Sequence, residues 1–204
     1  MRLQHVNTMK LIQTATILVA LTSVVAFSRA ERVFGYAIEP QVGRLPVNIV
    51  QSTNLLEEGL KKQEREDYLG AIADYTEFLK TNPNHLGAYS NRGFAKAMLD
   101  KLPEALKDFD RAILLAPNNA DAYNARGNIH AMAGNLSASV RDFNQSIRCD
   151  RAFADAYYNR AISRHGLGDR RGARADLTKA ARLFQQQQDV GGYQQATEWI
   201  DKLR

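Results

Sequence analysis

The 204-residue chain has one cysteine, Cys149, so no internal disulfide can brace it in any compartment. No second cysteine ends the apolar N-terminal run, which rules out a bacterial lipoprotein signal. With five prolines and 13 glycines, long helices stay open to the chain. The first 30 residues hold no Asp or Glu. Without their Arg2, Lys10 and Arg29 the net charge falls from +5 to +2. A near-neutral body lacks the electrostatic footprint of a phosphate binder, so no nucleic acid is expected. There is also no HExxH or CxxC pair, no GxSxG elbow, no phosphate-cradling glycine loop and no dinucleotide fingerprint. His5, His85, His130 and His165 stand without a ligand spacing, although His130 and His165 fall close together in neighbouring units. No catalytic residue, metal, cofactor or small-molecule substrate is expected.

What the N-terminus does have is a charge-free stretch, 11–28, between Lys10 and Arg29. Its apolar centre, Ile17 to Phe27, is 11 residues long, where a membrane span needs about 20. Arg2 and Lys10 supply a positive flank and Ser28-Arg29-Ala30 a small-x-small cleavage site. Residues 1–30 are expected to be a signal peptide cleaved after Ala30, or an anchor if uncleaved. Either way the body is exported, to a periplasm or thylakoid lumen. Residues 31–51, with Gly35, Pro40, Gly43 and Pro46, read as a linker.

The body repeats itself. Tyr89, Tyr123 and Tyr157 are 34 residues apart, as are Arg92, Arg126 and Arg160. Asp74, Asp108, Asp142 and Asp176 keep the same interval, and so do Pro83 and Pro117. We number each unit 1–34 from Ser52, Leu86, Ala120 and Ala154. Position 8 is then Gly59, Gly93, Gly127 and Ala161; position 20 is Ala71, Ala105, Ser139 and Ala173. Position 24 is Tyr75, Phe109, Phe143 and Leu177. Small residues at 8 and 20 let paired helices approach closely, and the bulky residue at 24 fills the space between them. Asp100-Lys101, Gly134-Asn135 and Gly168-Asp169 mark the turn inside each pair. The spacing predicts helices near 53–65, 68–81, 87–99, 103–115, 121–133, 137–149, 155–167 and 171–183. The helical period of Tyr193, Ala196, Trp199, Ile200 and Leu203 predicts one more, at 189–204.

The period and these columns resemble the tetratricopeptide repeat (TPR) across residues 52–185. The Tyr-x-Asn-Arg-Gly-like motif and the C-terminal helix are similar to those of exported TPR proteins from cyanobacteria. Position 32, a proline in the family, holds Pro83 and Pro117 and then departs to Arg151 and Gln185. The resemblance implies an all-α fold, a right-handed superhelix (α-solenoid) of four helix-turn-helix units at about 52–85, 86–119, 120–153 and 154–187. The helix at 189–204 would cap the last of them.

The resemblance also implies a site. In the family, the first helix of each unit lines a concave groove that takes a protein or peptide. Here that set is Ser90, Asn91, Phe94, Asn124, Asn128, Tyr158, Asn159 and Ile162. Amides both donate and accept, so they can pair with a peptide backbone; they could equally be solvated or bond their own helices. A family clamp for a C-terminal carboxylate is absent, since Asp121 stands where it needs a cation. The Arg at position 7 and Asp at position 23 suggest an ion-pair ladder between helices, worth about 0–1 kcal/mol per pair if exposed; a charged binding strip is the alternative. Cys149 falls in the column of Leu115 and Leu183, which predicts a buried thiol. The expected function is an exported adaptor or scaffold that assists assembly of a membrane or envelope complex. The alternatives are a self-assembling module or an accessory subunit of an envelope or photosynthetic enzyme complex.

Overall fold

The computed structural model describes residues 47–203, with side chains from residue 54 onward. The signal segment 1–30 and the linker up to residue 46 lie outside the described residues. Within them the chain forms nine helices and no strand. They are α1 (Val47–Glu64), α2 (Tyr68–Thr81), α3 (Leu86–Met98), α4 (Leu102–Leu115), α5 (Ala120–Met132), α6 (Leu136–Cys149), α7 (Ala154–Gly166), α8 (Arg170–Gln186) and α9 (Val190–Lys202). Each helix packs on the next, and first helices of successive units also touch: α1 with α3, α3 with α5, α5 with α7; α7 meets α9 through His165 and Trp199. The fold is an all-α solenoid of four helix pairs with a ninth helix on the end. No described helix is long and apolar enough to cross a membrane.

The turn inside each pair is set by one residue. Position 15 is Glu66, Asp100, Gly134 or Gly168, with φ of 61°, 58°, 75° and 86°. This left-handed residue lets the next N–H reach back to close the helix. Asp67, Lys101, Asn135 and Asp169 donate to the carbonyls of Lys62, Lys96, His130 and Arg164 at 2.8–2.9 Å. Asp67 and Asp169 then turn their carboxylates onto the N–H groups of Gly70 and Gly172, opening the second helix. Between units, His85 Nδ1 caps α3 at Ala88 N and the Asn119 side chain caps α5 at Ala122 N.

Pairing follows from the small columns. A Cβ placed on Gly59 would lie 2.6 Å from the Tyr75 ring, and one on Gly127 2.6 Å from Phe143. In the fourth unit both partners change together: Ala161 faces the column where Leu177 replaces the aromatic, and both are fully buried. Ala71, Ala105, Ser139 and Ala173 are likewise 0% exposed. Stacking adds position 10 of the following unit. Ala95 joins Ala71 and Tyr75, and Ile129 joins Ala105 and Phe109. In the third pair a polar version stands in, where the Ser139 and Ser163 hydroxyls bond at 2.8 Å.

Three details differ from the sequence reading. Helix α1 begins at Val47, inside the expected linker, because the breakers end with Pro46 and none follows before Gly59. Helix α8 runs on to Gln186, so part of the glutamine run is helical. In α9, Ala196 and Leu203 are buried, but Tyr193 is 39% exposed and lies off the packed face.

Candidate functional site

The candidate site begins at positions 5, 6 and 9 of the first helices, which share a face at the 3.6-residue period. On α3 these are Ser90, Asn91 and Phe94. On α5 they are Asn124, Ala125 and Asn128, and on α7 Tyr158, Asn159 and Ile162. Because α3, α5 and α7 are neighbours, these residues form successive rows. Asn91, Phe94, Asn124, Asn128, Asn159 and Ile162 are all half-buried. The Asn159 amide donates to Asn124 Oδ1 at 3.1 Å, so the rows on α5 and α7 are tied by an amide pair. That pair keeps one free carbonyl and one free NH₂. The rings of Phe94 and Tyr68, at the start of α2, meet edge to face at 6.4 Å.

Two members of the expected set do not belong to an open surface. Ser90 is 7% exposed and Tyr158 9%. Tyr158 is covered by the indole of Trp199 on α9. Burial pushes its hydroxyl up to about 12, with Trp199 working the other way. Trp199 also lies edge to face on His165, at 5.7 Å. The capping helix therefore closes this end of the row.

The arginine column makes intramolecular bonds. Arg92, Arg126 and Arg160 each fork onto the carboxylate 16 residues on, at Asp108, Asp142 and Asp176, with Nε donating at 2.8–3.0 Å. This is the expected ladder between helices, and its carboxylates are buried, at 4–5% exposed, so the small value of an exposed pair does not apply. The third nitrogen reaches back to position 25 of the preceding unit: Thr76 at 3.2 Å, Asp110 at 2.7 Å and Asn144 at 2.6 Å. Each guanidinium also sits over the position-4 ring of its unit, 5.4–5.8 Å from the centroids of Tyr89, Tyr123 and Tyr157. A further basic side chain approaches each Asp from position 11, a column the sequence carries openly but which the sequence reading passed over. Lys62, Lys96 and Arg164 lie 2.6–2.8 Å from Asp74, Asp108 and Asp176, and His130 3.8 Å from Asp142. Desolvation lowers the His130 pKa from its ordinary 6.5. In the first unit Glu58 occupies position 7, so Lys62 pairs with Asp74 in place of an arginine.

Cys149 is exposed, contrary to expectation, because it is the last residue of α6. Its column mate Leu183 is buried because α8 continues beyond it and α9 packs on α8. Among the described residues no three or more His, Cys, Asp or Glu converge to hold a metal ion. The face can therefore do hydrogen-bonding and apolar burial, the two things needed to hold an extended chain or a helix.

A family model described as TPR repeat matches residues 98–134. No curated protein matches the chain in sequence. Among solved structures, MamA 41-end from Desulfovibrio magneticus RS-1 is similar with TM-score 0.62 at 20% identity, over 67% of this chain and 77% of that one. A thermophilic TPR protein in Thermus thermophilus gives 0.57 at 16% identity, covering 74% and 91%. The first TPR of Spaghetti (RPAP3), bound to the HSP90 peptide SRMEEVD, gives 0.56 at 23%, covering 58% and 94%. At these identities the likeness establishes the fold.

Proposed function

We propose that this chain, a tetratricopeptide-repeat protein, is an exported adaptor that holds a partner protein or peptide against the face of α3, α5 and α7. In this reading it assists assembly of a membrane or envelope complex. The observation that carries the binding site is the row of half-buried, incompletely bonded amides at Asn91, Asn124, Asn128 and Asn159, flanked by Phe94 and Ile162. Such amides fix a peptide backbone without reading its side chains, while the apolar pair supplies area to bury. A similarly folded neighbour holding a peptide supports the reading. Asp121, half-buried on α5, disfavours an acidic chain end in this groove. Export rests on the apolar, acid-free N-terminus.

The test is a photo-crosslinker placed at Asn91, at Asn128 and, as control, at Lys107 on the exposed side of α4. Crosslinks to one partner from the first two sites alone support the groove. Equal labelling from Lys107, or labelling there alone, removes it. Intact mass of exported material should begin at Glu31; a mass that includes residues 1–30 replaces the free adaptor by an anchored one.

A further inference from the structure

Charge is unevenly divided along the solenoid. Residues 52–85 hold four basic and seven acidic residues, a net −3. Residues 154–187 hold seven basic and three acidic, a net +4. The excess does not belong to the arginine ladder. Asp176 is buried and already engages Arg160 and Arg164. Asp169 caps Gly172 and stands 3.8 Å from Arg164. This leaves Arg170, Arg171, Arg174, Lys179 and Arg182 on α8, all exposed, their side chains without a hydrogen bond or ion pair to another described residue. Arg170, Arg171 and Arg174 border a shallow, open depression of about 410 Å³, whose other walls are Ala175, Thr178 and Leu203 from the end of α9.

We infer that this depression on α8 is a second docking site, outside the α3–α5–α7 face, for an acidic peptide segment carrying an apolar residue. Three guanidinium forks present planar donor pairs that match carboxylates two bonds at a time. Ala175 is exposed and gives the depression apolar atoms for one side chain of the partner, while Leu203 at its wall is 7% exposed. The Thr178 hydroxyl, which donates to the Arg174 carbonyl at 2.9 Å, can still accept from a backbone N–H. The depression is open and small, bordered by six residues, a scale that fits a short segment. The net −3 of the first unit repels any long polyanion extended along the molecule. A peptide of a few residues meets only the basic end.

The probe is a fluorescein-labelled 12-residue peptide of glutamates with leucine at every fourth place, titrated by anisotropy against the mature chain. A glutamine-for-glutamate peptide, phosphatidylglycerol vesicles and a short DNA duplex are compared. The peptide is expected to bind, more weakly as salt rises. The triple variant Arg170→Gln, Arg171→Gln, Arg174→Gln is expected to lose at least tenfold. Lys101→Gln with Lys107→Gln and Lys80→Gln, the same change of charge elsewhere, should stay within twofold, and so should Phe94→Ala. The last control separates this site from the proposed groove. All substituted residues other than Phe94 are exposed, and unchanged thermal melts verify that the variants fold. No binding by the parent protein overturns the inference, as does equal loss in both triple variants. Patch-dependent capture of vesicles or DNA without the peptide overturns it in favour of those partners.

Discussion

At the residue scale the turn at position 15 is the most legible feature and also holds local strain. A left-handed backbone costs a residue with a Cβ about 1–2 kcal/mol, and glycine almost nothing. The chain uses glycine there twice and an acidic residue twice. Glu66→Gly should therefore raise stability by roughly 0.5–1 kcal/mol in urea unfolding; a drop would place Glu66 in a contact that outweighs its strain. The caps were less legible, because a histidine is not an expected cap residue. His85 Nδ1 must be unprotonated to accept from Ala88, and burial lowers its pKa below the ordinary 6.5. The unfolded chain then binds more protons than the folded one as pH falls through that value. Stability is fully present above about pH 6.5 and is lost below it, with His130 acting in the same sense. His85→Asn, which installs the cap found at Asn119, should flatten part of that loss. Denaturant midpoints at about pH 7.5 and 5 for both proteins decide it. Cys149 was not legible, since its exposure depends on where α6 stops.

At the element scale, what matters is which residues change together. Position 8 and position 24 are glycine with an aromatic in three units and alanine with leucine in the fourth. Gly127→Ala alone should cost about 1–3 kcal/mol by forcing the Phe143 ring out of place. Phe143→Leu alone should cost about 1 kcal/mol or more as space opens. Together they reproduce the fourth unit's pair, so the double variant should be more stable than the sum of the two losses predicts. Additive losses would mean the two columns do not read each other. The ladder follows the same logic. Asp142 is 5% exposed, so Arg126→Ala leaves a carboxylate without its fork and should cost roughly 2–3 kcal/mol. That is less than for a sealed pair because the arginine itself is partly exposed. The pairing was visible in the sequence as two columns 16 apart. Its burial was not, because burial comes from the stacked neighbour.

At the scale of the whole molecule the solenoid order and nearly every helix boundary were legible, since 34-residue spacing carries them. The composition of the candidate face was legible only in part. Periodicity says which residues share a face, and it says nothing of what lies over that face. Trp199 reaches Tyr158 and His165 from a helix outside the repeat, and so removes Tyr158 from the expected site. A stack of units in which each touches only its neighbours should open from its weaker end. The first unit lacks the arginine at position 7, and its bond to the second through that column is a single one to a neutral acceptor, Arg92 to Thr76. Amide exchange should therefore be fastest in α1 and α2 and slowest in α4 to α7. Protection that is greatest in α1 would mean the N-terminal segment covers it.

The same three-way guanidinium sets how the molecule flexes. A solenoid bends and twists like a coil spring, and each arginine that grips its own pair and the pair before acts as a stop at that joint. The joint at Arg126 closes on an anion, Asp110, whereas those at Arg92 and Arg160 close on neutral groups. All three joints carry the same stop, and twisting the spring at any of them pulls on a guanidinium held by two helix pairs at once.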